Sequence, residues 1–384
     1  MRHSIFIVLF IFLLFITAQS ADEWKGEIKI IDGIPHVINP TKPLNPKLSI
    51  SFEKQLELGG DLDTEEYLFE QLIDADVDES GNIYLLDFTG CNVLLFDKTG
   101  KFLRTVGRKG QGPGEFTYPM SVSVIAPDTF FVAQSNPNRF TFFTFQGKHI
   151  KDFTLIFTGA FTKAKLFSLG RLIYSKSEFS MRDNKSFMKL SLNSRDIGKE
   201  NDLQFFLTEK EMNFMQTKKI SQKDTPTLMW AFDHSGIVYA VDDIFNYQIK
   251  VADQTGKLVR MIEKKFSPVK KTKEEIEKEM QRFDEAQERI GVRLDFEYET
   301  SPEKNIISQL LTDDSGRLWV VTPEGAPESG VAFDIYNNES KFLNKIKIES
   351  MKSGNLFIKG GCLYSLYKDE DELSKFARYK IIEK

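Results

Sequence analysis

Residues 76–116, DVDESGNIYLLDFTGCNVLLFDKTGKFLRTVGRKGQGPGEF, decide the fold of this 384-residue chain. Apolar runs at 83–86, 93–96 and 102–106 have the length and composition of β-strands, and turn sequences such as DESG and KTGK separate them. With a strand before the first turn, they make one four-stranded antiparallel sheet. A sheet of this size cannot bury its apolar faces alone, so it must stack on copies of itself.

Copies of this unit recur along the chain. The first turn and strand return at 232–239, and the second hairpin returns at 251–258. A weaker copy occupies 312–320 and 333–341, and further units begin near residues 122, 165 and 355. The repetition predicts six similar sheets in an all-β protein.

The motifs GNIYLLD, LLFD and GKFLRTVGRKGQGPGEF resemble the NHL-type repeat of six-bladed β-propellers. They resemble in particular a family of secreted bacterial six-bladed propellers, and the likeness covers about residues 26–384. The resemblance implies a six-bladed β-propeller fold. It implies no activity, because propellers host many unrelated functions.

The beginning of the chain has the pattern of a secretion signal. Residues 1–20 combine a basic start with an apolar run at 5–16 and small residues before position 21. The run is shorter than the roughly 20 residues that span a bilayer. We therefore expect cleavage after Ser20 and a secreted or periplasmic protein that does not span the membrane. A net charge of −5 argues against nucleic acid as a partner.

The two ends of the remaining chain are predicted to complete one sheet together. Residues 21–47 are polar and rich in proline, which predicts an extended N-terminal arm. Residues 48–58 alternate with period two, as the outermost strand of a unit should. The last unit supplies only three strands, so we expect 48–58 to be its fourth. The propeller would then span residues 48–384.

A polar face is predicted where the turns after each second strand meet the blade-to-blade connections; we call it the connection face. Loop faces are where binding usually occurs. Candidate ligand-binding residues on it are Asp87, Asn92, Arg108, Lys109, Gln134, Arg139, Asp242, Asn246 and Gln248. The alternative for Asp87 and Asp242 is that they only accept hydrogen bonds from amides of their own turns.

The glycine-rich segment at 107–114 invites comparison with a phosphate-binding loop. No Gly-Lys-Ser/Thr ending follows, and Pro113 removes one amide donor. We interpret the segment as a blade connection whose Phe116 wedges between sheets. Arg108 and Lys109 could still hold an anionic group.

No catalytic set, metal site or cofactor site is predicted. The segment 74–81 has the aspartates of a calcium loop without its spacing, so we interpret these as solvent-facing residues of a strand that ends in a turn. His36 lies in the N-terminal arm, His149 follows one turn and His234 lies in another, so they do not form a predicted ligand set, and no Gly-x-Ser-x-Gly occurs. The sequence therefore favours a binding or scaffold module for a protein, peptide or glycan. A metal-dependent enzyme of lactonase or lyase type is the alternative.

One segment departs from the repeat. Within 266–305, Thr272 and Glu275 have capping-box spacing and Ile276, Met280 and Phe283 form an apolar stripe, which predicts a helix at about 272–290. Because it interrupts a blade connection, topology puts it on the connection face. It is either a lid or docking arm, or a helix packed on the propeller rim.

Overall fold

A computed structural model describes residues 23–384 apart from 61–63, 126–127, 169, 200, 213–217, 224, 291–296, 324–329, 350 and 353. The predicted signal at 1–20 lies outside these residues. Six sheets built on one four-strand pattern surround a central channel, and their innermost strands line it. The prediction of a six-bladed β-propeller is confirmed.

Each blade is an antiparallel sheet whose strands follow one another from the channel outward. The chain opens with β1 (Glu27–Ile31), β2 (Ile34–Asn39) and β3 (Ile50–Leu58). A 3-10 turn at Glu65–Tyr67 precedes blade 1, which contains β4 (Leu72–Val77), β5 (Ile83–Asp87), β6 (Asn92–Phe96) and β7 (Phe102–Val106). Blade 2 contains β8 (Tyr118–Ile125), β9 (Thr129–Ser135), β10 (Arg139–Thr144) and β11 (His149–Thr154). Blade 3 contains β12 (Ala160–Ser168), β13 (Arg171–Arg182), β14 (Lys185–Asp196) and β15 (Leu203–Met212).

The second half of the ring carries the insertions. After β16 (Lys219–Ser221), blade 4 contains β17 (Met229–Phe232), β18 (Val238–Val241), β19 (Gln248–Ala252) and β20 (Leu258–Lys264). Helix α1 (Lys273–Ile290) and β21 (Glu297–Glu299) follow. Blade 5 contains β22 (Gln309–Thr312), β23 (Leu318–Thr322), β24 (Val331–Tyr336) and β25 (Phe342–Ile348). Blade 6 contains β26 (Asn355–Lys359), β27 (Cys362–Lys368) and β28 (Ser374–Glu383).

The ring is closed by the two ends of the chain. Strand β3 pairs antiparallel with β28, in a register that runs from Leu58 opposite Phe376 to Ile50 opposite Glu383. Strand β3 thus becomes the outermost strand of blade 6, as its alternating pattern predicted. Backbone hydrogen bonds along this pair fix both ends of the propeller.

The segment predicted as an extended arm contains a β-hairpin. Strands β1 and β2 pair across an Asp32-Gly33 turn in which both residues have positive φ, and β2 adds to β20 in parallel. The buried side chain of Asn39 accepts a hydrogen bond from Phe342 N and donates one to Ser340 O. The hairpin therefore bridges blades 4 and 5. The prolines that follow it obscured this pattern.

Aromatic side chains fill the spaces between blades, as predicted for Phe116. Phe116 is fully buried between blades 1 and 2, where it packs with Val106 and meets the Phe143 ring at 5.7 Å. Gly107 has φ +83°, and a Cβ there would lie 2.2 Å from the Phe116 ring. Glycine is thus needed both for the backbone conformation and for the ring.

Helix α1 begins with the predicted capping box. Thr272 N donates to Glu275 Oε2 at 2.8 Å, and Glu275 N donates to Thr272 Oγ1 at 3.2 Å. Two further contacts hold the helix. Lys304 Nζ lies 2.6 Å from Glu275 Oε1, and the Tyr298 ring stacks on the Phe283 ring with centroids 4.6 Å apart. These partners all belong to the same insertion. The glycine that follows the predicted helix, Gly291, lies outside the described residues.

Candidate functional site

The residues predicted for the connection face fall into two groups. One group lies at the ends of blades 1 and 2, and the other lies on blade 4. Three residues of the first group are almost fully buried, namely Asp87, Gln134 and Arg139. Arg108, Lys109, Asn246 and Gln248 are exposed.

The buried members bind the loops around them. Asp87 accepts hydrogen bonds from the amides of Glu70, Gln71 and Gly90, at 2.8, 3.1 and 3.0 Å. Gln134 Oε1 accepts one from Thr117 N at 3.2 Å. Asp87 thus shapes its own turn and the incoming blade connection, which agrees with the structural alternative for this residue.

The glycine-rich segment already holds an internal carboxylate. Glu115 Oε2 accepts a hydrogen bond from Gly112 N, and its Oε1 accepts one from Arg108 Nε, both at 2.9 Å. The Gly112 amide and the Arg108 guanidinium lower the pKa of Glu115. Arg139 Nη2 donates to Glu115 O at 2.6 Å. Glu115 therefore occupies the position at which a bound anion was considered.

The blade 4 group also makes local contacts. Asp242 pairs with Lys250 on the neighbouring strand. Asn246 Nδ2 donates to Asp243 Oδ2 at 2.6 Å, and Gln248 Nε2 donates to Glu263 Oε1 at 3.3 Å. Ligand binding by the connection face remains a prediction, and most of its polar side chains are engaged within the protein.

A central channel forms a concave site away from that face. The cavity has a volume of about 360 Å³ and is lined by the innermost strands of all six blades. It extends to turns that join first and second strands, where His234, Asp313 and Asp314 lie. We call this end the turn face, and it is opposite to the connection face.

Asp74 and Asp76 of β4 reach across to the innermost strand of blade 2. Asp74 Oδ2 accepts a hydrogen bond from Val122 N at 3.0 Å, and Asp76 Oδ2 accepts one from Val124 N at 2.8 Å. Residues two apart on a strand share one face, so both carboxylates can satisfy the open edge of β8. They are not the solvent-facing residues that the sequence suggested, because both are buried.

Two channel lysines neutralise these carboxylates. Lys165 Nζ lies 2.9 Å from Asp74 Oδ2, and Lys359 Nζ lies 2.7 Å from Asp76 Oδ1. Burial alone would raise the pKa of Asp76, but Lys359 and Lys165 together bring it below its usual value. Asp74 and Asp76 are therefore each paired with a cation, from blades 3 and 6 respectively.

Lys163 is the third channel lysine, and it lacks such a partner among the described residues. Its Nζ lies 5.0 Å from the centroid of the Trp230 ring, whose Nε1 donates to Ser175 Oγ at 2.9 Å. Burial, and then the positive charge of Lys165, lower the pKa of Lys163 to about 8, although the Asp74 carboxylate opposes this change.

The remaining walls are mainly apolar. Leu310 and Leu311 of β22 are buried, and Phe232 of β17 and Phe357 of β26 are half-buried. At the turn face, Asp314 accepts hydrogen bonds from the amides of Gly360 and Gly361. Among the described residues, the channel thus combines an apolar wall with the amino group of Lys163, which has no carboxylate partner there.

Comparison with known proteins places the chain in a family. A family model described as a six-bladed beta-propeller, DUF5128, matches residues 62–292. This chain belongs to the DUF5128 family. No curated protein matches the sequence of this DUF5128 member.

Solved structures share the fold of this DUF5128 protein at low sequence identity. A putative exported protein from Bacteroides fragilis matches with a TM-score of 0.52 and 13% identity, over 90% of this chain and 99% of that chain. A DUF4221 member from Bacteroides vulgatus matches with a TM-score of 0.50 and 12% identity, over 88% of this chain and 99% of that chain. At these identities the likeness shows the fold alone.

Two features of the DUF5128 structure concern metal binding and the crossing of a bilayer. Within the described residues, no group of three or more His, Cys, Asp or Glu side chains is arranged to hold a metal ion. In the same part of the chain, no helix has the length and apolar character needed to cross a bilayer.

A second cavity lies beside α1, on the connection face. It has a volume of about 830 Å³ and is lined by α1 and by loops of blades 5 and 6. Its charged side chains are largely paired, as in Lys271 with Glu279 and Lys368 with Glu372. The helix therefore lies where topology predicted, next to the connection-face loops of the DUF5128 propeller.

Sequence reasoning missed the channel lysines. Lys163, Lys165 and Lys359 lie on innermost strands of blades 3 and 6, where the repeat is less regular than at residues 76–116. The available signal was a charged residue on a strand that should be buried on both faces. Asp74 and Asp76 carried the same signal, but they were interpreted as solvent-facing residues of a segment that lacks the spacing of a calcium loop.

Proposed function

We propose that this protein is an exported binding propeller whose central channel holds a small organic ligand. The observation that carries the proposal is the cavity of about 360 Å³ at the centre of the ring. Ligand pockets of about 300–1,000 Å³ are typical of small-molecule sites. Such a site needs apolar walls and a few well-placed polar groups, and the channel offers both.

Charge in the channel favours a ligand with an electron-rich polar group. Asp74 and Asp76 are neutralised by Lys165 and Lys359, whereas the Lys163 amine, which also lines the channel, has no carboxylate partner among the described residues and can meet a ligand. Trp230 lies beside that amine and offers an aromatic surface to the apolar part of the same ligand. A partly aromatic molecule with one carbonyl or carboxylate group suits this pairing.

The size of the channel favours a small molecule over a folded protein. Peptide or glycan binding on the connection face is a separate prediction, and its polar residues are mostly bound to other parts of the protein. Export is supported by the signal-like pattern at residues 1–20, and a structural neighbour is described as a putative exported protein. Amino-terminal sequencing of the mature protein tests this part, and we expect it to begin at Ala21.

A thermal-shift screen tests the channel directly. The full mature chain is screened against small aromatic carboxylates and aldehydes, oligosaccharides and short peptides. A ligand that binds only the folded state stabilises it by RT ln(1 + [L]/Kd), which is about 2.7 kcal/mol at 100 times Kd. We expect the largest shifts from small aromatic compounds.

Two variants locate the binding site. Lys163→Met alters the channel, whereas Tyr118→Ser alters an exposed aromatic residue that is not part of the channel lining. We expect Lys163→Met to reduce the thermal shift and Tyr118→Ser to leave it unchanged. A shift that is lost in Tyr118→Ser and kept in Lys163→Met would place binding on the connection face and overturn the channel proposal.

A further inference from the structure

We infer that Lys163 is a reactive amine that forms an imine with an aldehyde or ketone ligand inside the central channel. This inference rests on the proposed function, because the ligand must first enter the channel. It goes further in assigning a covalent step and the chemical class of the ligand.

Lys163 differs from the other channel lysines in what surrounds its amino group. Lys165 Nζ donates to both Asp74 oxygens and to the carbonyls of Ala75 and Val122, at 2.7–3.1 Å. Lys359 Nζ donates to Asp76. Neither amine can offer a nitrogen lone pair without giving up these bonds. Lys163 Nζ has no such bond to break among the described residues.

The environment of Lys163 also favours its neutral form. It is half-buried on the channel wall beside the Trp230 ring, and a second ammonium, Lys165, follows two residues later on β12. Lysines are activated as nucleophiles by desolvation and by a neighbouring cation. The pKa of about 8 means that about one Lys163 in ten is neutral at pH 7, against about one in 3,000 for an ordinary lysine.

Several charged groups surround the Lys163 amino group. Lys165 and Asp74 act on it from the channel wall, and Asp76 with Lys359 forms an ion pair across the channel. At the turn face, His234 is exposed, and Asp313 is paired with Arg317. Asp74, Asp76 and Asp313 are therefore each paired with a cation other than Lys163.

The covalent step balances without any further reactant. The nitrogen lone pair of neutral Lys163 attacks the carbonyl carbon, the C=O π electrons move to oxygen, and one of the two amine protons is transferred to that oxygen to give a carbinolamine. The second amine proton is transferred to the hydroxyl, which leaves as water while the nitrogen lone pair forms the C=N bond. One amine and one carbonyl compound thus give one imine and one water, and addition of water reverses the step.

Reductive trapping tests the assignment on the full mature chain. Benzaldehyde is the probe, because its ring suits the wall formed by Trp230 and Phe357, and cyanoborohydride converts the imine into a stable benzyl-lysine. Peptide mass mapping then gives the rate of modification at each lysine. At pH 7 we expect Lys163 to react at least tenfold faster than Lys352, whose side chain is 52% exposed.

The pH profile adds a readout that exposure alone would not produce. The rate at Lys163 should level off above about pH 8, whereas the rate for free Nα-acetyl-lysine, which has the ordinary lysine pKa of about 10.4, should keep rising towards about pH 10. Lys163→Arg should remove the fast product and leave the slow labelling of Lys352 unchanged. Labelling that is no faster at Lys163 than at Lys352 overturns the inference.

The design separates this inference from the proposed function. Benzyl alcohol has the same ring without the carbonyl, so it reports binding without imine formation. If benzyl alcohol or a compound from the thermal-shift screen stabilises wild type more than Lys163→Met while Lys163 is not labelled, the imine is wrong and channel binding stands. If neither benzyl alcohol nor any screened compound stabilises the protein and Lys163 is not labelled, both proposals fail.

Discussion

Lys359 Nζ, on the innermost strand of the last blade, lies 2.7 Å from Asp76 Oδ1 on the innermost strand of the first. The same aspartate accepts a hydrogen bond from the backbone amide of Val124 in blade 2. One carboxylate thus joins three blades around the channel, at the point where the ring closes. The hydrogen-bonded pairing of β3 with β28 closes the same ring at its outer edge.

The Asp76 contact predicts an acid-dependent effect of Lys359→Met. The pKa of Asp76 is lowered in the folded state, so its contribution to stability is present above about pH 4 and is lost as the pH falls through the folded pKa. Without Lys359, burial raises that pKa. We expect a loss of about 1–3 kcal/mol at pH 7 that shrinks towards pH 3.

Urea unfolding at pH 7 and pH 3 measures this difference. Lys352→Met is the matched control, because the partner of Lys352, Glu370, has an 89% exposed side chain. Exposed pairs contribute about 0–1 kcal/mol. An equal loss at both pH values for Lys359→Met would show that the ion pair is not its cause.

Lys163→Met should change the stability of the protein in the opposite direction from Lys359→Met. The folded pKa of Lys163 is about 8, below the 10.5 of an ordinary lysine, so unfolding takes up a proton between these pH values. Stability therefore rises with pH across that window, and the charged lysine is a cost below it. We expect Lys163→Met to stabilise the protein by on the order of 2 kcal/mol at pH 7 and by much less at pH 10.5. Chemical unfolding of both proteins at the two pH values gives the comparison, and a gain that does not change with pH would contradict the assignment.

A buried cluster between blades 4 and 5 predicts a large loss of stability. Asp334 is fully buried, and its Oδ2 accepts hydrogen bonds from Tyr247 Oη at 2.8 Å and from Lys264 Nζ at 2.9 Å. Asp334→Ala removes the carboxylate and leaves Lys264 without it in an apolar setting. Breaking such a pair costs about 3–5 kcal/mol. Guanidinium unfolding measures it, with the exposed Asp371→Ala as control; a loss below about 1 kcal/mol would mean that the cluster rearranges.

The fold could be predicted because each blade repeats a local pattern. Ile83 and Leu85 of blade 1 are fully buried, and the turn at residues 78–81 places them in a strand whatever the other blades do. The capping box at Thr272 is equally local. Predicting the place of β3 required one further inference, namely that a blade with a missing strand takes that strand from the other end of the chain.

The candidate site could not be predicted in this way. Its contacts join residues far apart in sequence, since Lys165 and Asp74 are 91 residues apart and Lys359 and Asp76 are 283 apart. Each innermost strand supplies two to five residues to the channel lining. Which of them meet depends on register and blade order, which a local pattern does not encode. The hairpin at residues 27–39 was missed for two other reasons, because prolines follow it and because the strand that β2 joins, β20, lies in blade 4.

Closure of the ring predicts that a disulfide can lock it. Ser51 lies opposite Ile382 in the β3–β28 pair, and opposed residues of antiparallel strands have Cα atoms about 4.5–5.5 Å apart. This separation suits a disulfide. Ser51→Cys with Ile382→Cys should stabilise the oxidised protein by about 4–5 kcal/mol, because the closed loop contains most of the chain. Unfolding with and without reductant measures the gain; Ser51→Cys alone is the control, and equal stability in both conditions would count against this register.

The position of α1 predicts that the helix is dispensable for the channel. Its hydrogen bonds and stacking contacts are mainly with its own insertion, and its cavity opens on the connection face, whereas the channel reaches the turn face. We expect replacement of residues 268–300 by a short Gly-Ser linker to change the melting temperature by only about 3 °C, which corresponds to roughly 1 kcal/mol for a domain of this size. Binding of a channel ligand should not change. The point variant Met280→Ser, at a helix position 47% exposed, is the control for the surface of the helix. Loss of channel binding in the deletion but not in Met280→Ser would instead support the lid interpretation of this helix.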